Sequence, residues 1–169
     1  MAILNVFVQN QLSDPNAIQG FFGEYRWLSN FHLSPVEFEG KVYPSAENAF
    51  QAAKVLSTDR NKFVTCTPKE AKKFGRRVDM VYPAKYWNII RTVVMYQVLK
   101  SKFKDDALWG QLKGTGLKYL EESNWWGDEF WGMYRRDLTD VLPPPKYGIS
   151  ATGQNTLGYL LMLVRAEPR

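Results

Sequence analysis

Between Tyr86 and Phe103 the apolar residues Trp87, Ile90, Val94 and Val98, with Met95 and Leu99 beside them, recur at intervals of three and four. That is the period of a helix with one apolar face, and no other run in the chain keeps it for as long. Pro83 blocks an earlier start. Such a face has to be covered by other elements, and the rest of the chain supplies mostly helices. Thr67-Pro68-Lys69-Glu70 is a capping box with proline at the first helical position, and the helix it starts should end near Gly75. Asp105 to Lys113 reads as a short helix stopped by Gly114, and Leu117 to Leu120 as a short strand. Asn155 to Glu167 reads as a closing helix with Leu157, Leu160, Leu161 and Val164 on one face and Asn155 as N-cap. Val36 to Tyr43 alternates around Glu39-Gly40, a hairpin signal with Val36, Phe38 and Val42 available for one apolar surface. The fold class expected is mainly α, an α+β chain with a small N-terminal β element. The stretch between Gly132 and Gly153 has three consecutive prolines and no period, and reads as a long loop.

Length and composition set further bounds. At 169 residues, 45% hydrophobic, the chain is the size of one globular domain with a sizeable core. A single cysteine, Cys66, excludes an internal disulfide; with His32 the only histidine, a zinc site of the usual His/Cys kind is excluded as well. No loop has the acidic alternation of a dedicated Mg²⁺ or Ca²⁺ site, so no metal and no cofactor is expected. No run approaches the roughly 20 apolar residues of a membrane span. The N-terminal MAILNVFVQNQLSDPN lacks the pattern of a signal peptide, so a soluble cytoplasmic protein without a membrane partner is expected. Nothing in the sequence sets the oligomeric state.

A net charge of +5 favours anionic partners, from phosphorylated metabolites to nucleic acid. The densest basic cluster is Lys69, Lys72, Lys73, Arg76 and Arg77, which is either a solvated helix face or a phosphate site. The segment YPSAENAFQAAK, Tyr43 to Lys54, reads as a helix whose apolar side is Ala46, Ala49, Phe50 and Ala53. Glu47, Gln51 and Lys54 stand at i, i+4 and i+7 on it, so a polar line runs along a segment otherwise suited to burial. The line faces either solvent or a cavity.

Four segments together resemble the NADAR, or YbiA-like, family. They are FGEYRWLSNF, Phe22 to Phe31; YPSAENAFQAAK; AKKFGRR, Ala71 to Arg77, with Trp87 and the helix ending KSKF; and WGDEFWG, Trp126 to Gly132, paired with GQNTLGYLLM, Gly153 to Met162. The resemblance covers about Phe21 to Arg165. It implies a YbiA-like domain over 21–169, an N-terminal extension over 1–20 and an inserted loop at about 133–152, where family members usually pass quickly between the last two motifs. It implies cleavage of N-glycosidic bonds, in ADP-ribosyl compounds such as ADP-ribosylated guanine in nucleic acid or in ribosylamino phosphates. Hydrolysis of early riboflavin-pathway intermediates, non-catalytic sensing of ADP-ribose or NAD, and a salt-sensitive nucleic-acid binder using the Lys69 to Arg77 face are the alternatives.

On this resemblance the polar line faces a cavity. Breaking a C1'–N bond builds positive charge on the ribose, which a carboxylate stabilises, while the departing nitrogen needs a proton. Glu47 is the expected carboxylate, and Asp128 the second, against the alternative that Asp128 caps a turn; Glu129 is a weaker competitor. Lys54 is a candidate to bind phosphate, assist the leaving group or attack C1' of an opened sugar. Glu24, Asn30, Phe31 and Gln51 are candidate substrate contacts. Trp87 and Trp126 are candidate aromatic walls, Trp87 alternatively a core residue. Gly127 belongs to the Asp128 segment, and the amides of Gly153, Gln154 and Asn155 are candidates for a phosphate at a helix start.

Overall fold

A computed structural model describes residues 15–135 and 151–168. In chain order the elements are β1 (Ala17–Gln19), a 3-10 turn (Gly23–Leu28), β2 (Leu33–Phe38), β3 (Lys41–Ser45), α1 (Ala46–Ala52), a 3-10 turn (Ser57–Asp59), α2 (Asn61–Thr65), α3 (Pro68–Gly75), α4 (Ala84–Lys102), α5 (Asp106–Gly114), β4 (Tyr119–Glu121), β5 (Ser123–Asn124), β6 (Met133–Arg135), β7 (Ala151–Gly153) and α6 (Thr156–Ala166). The fold class is α+β, mostly helical with short strands. The chain forms two compact units, Asn30–Leu112 and a unit built from Met1–Ser29 with Lys113–Arg169.

In the middle unit β2 and β3 form an antiparallel hairpin turned at Glu39 and Gly40, both with positive φ (45° and 76°), as a tight two-residue turn demands. That turn length sets the register: Val36 pairs with Tyr43 and Glu37 with Val42. Val36, Phe38 and Tyr43 are buried, while Val42 is exposed. The expectation that Val42 shares the apolar face is therefore corrected. Cross-strand partners point the same way, and Val42 is partnered by a glutamate. Arg60 forms an ion pair with Glu39 at the turn.

Every residue of α1 is buried. Ser45 caps it by accepting from the Asn48 amide, and Asn48 in turn donates to the carbonyls of Phe63 and Cys66, tying α2 to α1. The half-buried Cys66 thiol is pushed up by burial and so stays a thiol. α3 has the predicted capping box between Thr67 and Glu70 with Pro68 behind it, and packs on α1 through Ala71 and Gly75. α4 is the long helix expected; it lies against β2 and α1 and buries Trp87, Met95, Val98 and Leu99. Among the described residues no helix is long and apolar enough to cross a membrane.

In the other unit β1 pairs in parallel with β4, burying Ala17 and Ile18. β1 lies inside the stretch 1–20 expected as an N-terminal extension. β5, β6 and β7 form a three-stranded sheet, with β6 and β7 antiparallel. These two strands are the ends of the segment expected as a long loop from Gly132 to Gly153. Strands of three residues are too short to show a period, so the sequence pattern misses them. The rest of that segment, 136–150, lies outside the described residues. α6 packs on β4 with Leu157, Leu160, Leu161 and Val164 buried.

Candidate active site

The polar line of α1 does not face solvent. Glu47 is 6% exposed and Gln51 5%, and the Gln51 amide donates to Glu47 Oε1 at 2.8 Å. Burial pushes the Glu47 carboxyl above the usual range. The positive charges of Lys72, Lys54 and Arg76 and the Gln51 hydrogen bond oppose that rise. Lys54, half-buried one turn below Gln51, donates to the carbonyl of Gly75 at 3.1 Å and sits 5.8 Å from the Phe50 ring centre and 5.7 Å from that of Trp87. Burial lowers its pKa, with Arg76 and Lys72 adding to the effect and Glu47 opposing it. An acid raised and an amine lowered both move toward the pH at which proton transfer is easiest.

Asn30 fixes the start of this helix, its carbonyl accepting from the Glu47 amide at 2.9 Å. Its side-chain nitrogen reaches Met95 Sδ at 3.5 Å, and its Oδ1 is buried without a partner. Gln51 Oε1 is likewise buried without a partner, pressed against Gly75, where a Cβ would stand 1.8 Å from it. An unpaired buried acceptor costs about 1–3 kcal/mol, so both oxygens are destabilising as they stand. Phe31 is partly exposed and holds Lys72 Nζ 5.4 Å from its ring centre. Trp87 is buried and packs on Phe50 at 5.3 Å between ring centres, which is the core alternative; its contact with Lys54 keeps it beside the site.

The remaining candidates belong to the other unit. Glu24 is exposed in the first turn of the 3-10 segment. Trp126 is half exposed and edge-on to Trp125, which also meets Phe22. Gly127 takes a left-handed φ of 81° that turns the chain into Asp128. Asp128 Oδ1 accepts from the amides of Trp131 (2.9 Å) and Phe130 (3.3 Å), and Asn124 brackets the Asp128 backbone from both sides. That is the turn-capping alternative, and it occupies one of the two carboxylate oxygens. Glu129 is exposed and accepts from Thr152.

The expected phosphate seat at Gly153, Gln154 and Asn155 is corrected by the hydrogen bonds. The amides of Gln154, Asn155, Thr156 and Leu157 donate to the carbonyls of Glu129, Gly132, Phe130 and Trp131, so the start of α6 has already spent its donors. Gly153 lies so close to Gly132 that an added Cβ would be 2.3 Å from its carbonyl oxygen. Asn155 precedes α6 as expected but does not cap it with its side chain. In a left-handed conformation (φ 48°), it bonds Glu122, Tyr119 and Leu120 instead.

Lys72 and Arg76 are the residues that sequence reasoning did not separate from the basic cluster. A signal was present: Ala71 and Gly75 form a small-residue stripe one turn apart, the mark of the face that packs closely, and Lys72 and Arg76 each follow it by one position.

Glu47 is thus a buried carboxyl that accepts from Gln51 and is acted on by the charges of Lys72, Lys54 and Arg76. The chain belongs to the NADAR family: the NADAR domain model matches residues 19–169. It is 30% identical over 152 residues to the N-glycosidase YbiA of Escherichia coli (strain K12), covering 85% of this chain and 82% of that one. A riboflavin biosynthesis protein of Vibrio vulnificus (strain YJ016) is 29% identical over 156 residues, covering 91% of this chain but 37% of the relative. The NMR structure of Escherichia coli YbiA matches the fold with a TM-score of 0.68 at 30% identity, covering 89% of this chain and 83% of that chain.

Proposed function

We propose that this protein is a cytoplasmic N-glycosidase that hydrolyses the C1'–N bond of a phosphorylated ribose compound, either an ADP-ribosyl group on a base or a ribosylamino phosphate. The observation that carries the reading is Glu47: a carboxyl buried on a helix that is itself wholly buried, hydrogen-bonded on one oxygen and surrounded by cations. A carboxyl with only an architectural task would not be taken out of water beside unpaired acceptors, because that arrangement is destabilising. The name of the Escherichia coli relative supports the same chemistry.

In the reaction Glu47, when ionised, stabilises the positive charge that develops at C1' as the bond to nitrogen breaks. Its second oxygen takes a proton from the water whose oxygen bonds to C1'. Lys54, with its lowered pKa, donates the proton that the departing nitrogen needs. Asn30 and Gln51 oxygens accept from the ribose hydroxyls. Phe31 and Trp87 supply ring surface beside Lys72 and Lys54. Asp128 works here as the organiser of its turn.

The test is to incubate the pure protein separately with ADP-ribosylated guanine DNA and with a ribosylaminouracil phosphate, following release of base or amine by mass spectrometry. Release from at least one, lost in Glu47→Gln, is the expected result. Tight binding of ADP-ribose with no release from either substrate would make the protein a sensor instead.

A further inference from the structure

The cations around Glu47 are more numerous than the carboxyl needs. The charges of Lys72, Lys54 and Arg76 all act on it, three cations to one carboxyl. Lys54 is engaged with Gly75, but neither Lys72 nor Arg76 has an ion pair or side-chain hydrogen bond among the described residues. Helix α3 sorts its basic residues by spacing. Lys72 and Arg76, four apart, follow the Ala71–Gly75 stripe that packs on α1, and Lys72 is held over the Phe31 ring. Lys69, Lys73 and Arg77 form a second line, all exposed, and Arg77 turns to a separate cleft lined by Val55, Asp59, Lys62 and Phe74.

We propose that Lys72 and Arg76 form the phosphate subsite of the Glu47 centre, taking the terminal phosphate monoester or the diphosphate of a ribose compound whose hydroxyls meet Asn30 and Gln51. This rests on the functional reading above and adds the feature that selects among substrates. A phosphate monoester carries close to two negative charges and three acceptor oxygens, which matches two unpaired cations one helical turn apart. The unpaired oxygens of Asn30 and Gln51 call for donors, which ribose supplies and phosphate does not. Phosphate on α3 and hydroxyls toward α1 therefore orient the sugar with a single polarity. Occupation has a chemical consequence: neutralising Lys72 and Arg76 removes two of the charges that hold the Glu47 proton affinity down. Binding a phosphorylated ligand therefore draws a proton toward the site.

The experiment titrates the protein with ribose 5-phosphate and with ribose at constant ionic strength, by calorimetry in two buffers of different ionisation enthalpy. Wild type should bind ribose 5-phosphate at least tenfold more tightly than ribose, with net proton uptake. Lys72→Met and Arg76→Gln should each weaken ribose 5-phosphate about tenfold, leave ribose unchanged and reduce the uptake. Lys69→Met and Lys73→Met should change neither. Arg76 is exposed, so its variant reports even if Lys72→Met fails to fold. No preference for the phosphate in wild type, or equal losses in the Lys69 and Lys73 variants, overturns the proposal. Glu47→Gln keeps the preference if the subsite is right, whatever its turnover. Failure of the subsite thus shows in the α3 variants, and failure of the hydrolase reading shows in Glu47→Gln.

Discussion

Asn155 and Asn30 are both buried asparagines beside the start of a helix, and they are used in opposite ways. Asn155 spends every polar atom of its side chain: Oδ1 accepts from the Glu122 amide, and Nδ2 donates to the Tyr119 hydroxyl and the Leu120 carbonyl. Asn30 makes one weak contact to a methionine sulfur and leaves its oxygen unpaired. The contrast extends to the surroundings. The turn from Asn124 to Gly132 and the start of α6 are knitted together by amides and carbonyls, with Asp128 as a cap. Around α1 the Glu47 carboxyl and the side-chain oxygens of Asn30 and Gln51 are buried, the two amide oxygens without a partner, and Lys54 is half-buried beside them. Saturated polar groups hold a fold in one shape, and unsaturated ones are destabilising unless something else satisfies them, which is what the proposed ligand would do.

The comparison breaks most visibly at Asn155. Asn155→Ala should cost on the order of 3 kcal/mol, because it strands a buried amide and carbonyl and puts alanine into a left-handed backbone, and urea unfolding measures it. Gly75→Ala comes next, at about 1–3 kcal/mol. Its methyl group must displace Gln51, and the chemical shifts of Glu47 should move as their hydrogen bond is lost.

A third effect is smaller and depends on pH. Because the folded Glu47 carboxyl titrates above its unfolded value, the native state binds more protons over that window, and stability falls as pH rises through the folded pKa. Glu47→Gln removes this loss. Relative to wild type, the variant should gain stability as pH rises above the ordinary carboxyl range, which urea midpoints measured at an acidic and at a higher pH report. The smallest effect is expected at Asp128→Asn, which keeps the oxygen that caps the turn. Turnover should stay within about threefold, whereas a much larger fall would return Asp128 to the chemistry as a second carboxylate.

Much of the frame was legible because it rests on local rules. The capping box at Thr67, the proline before α4 and the Glu39-Gly40 turn each state their geometry in a few residues. Val42 was assigned to the wrong face because the face depends on how many residues make the turn. The start of α6 looked like an anion seat because nothing local shows that the carbonyls of 129–132 return to fill it. The site divides the same way. Glu47 and Gln51 share α1, and Lys54 lies two residues past its end, so the three can be read from spacing although the helix stops before the expected Lys54. Lys72 and Arg76 come near α1 through the packing of α3, a contact between segments that a period does not report.

The central claim is that Glu47 is buried for chemistry, and turnover of Glu47→Gln on whichever ribosylated substrate wild type cleaves tests it most directly. Glutamine keeps the size, the helix and a partner for Gln51 while removing the charge. Turnover should fall by on the order of a hundredfold or more, with ligand affinity changed by less than about threefold. Turnover within about threefold of wild type would mean that the carboxyl stands in this helix for architecture alone, and that the catalytic centre lies elsewhere.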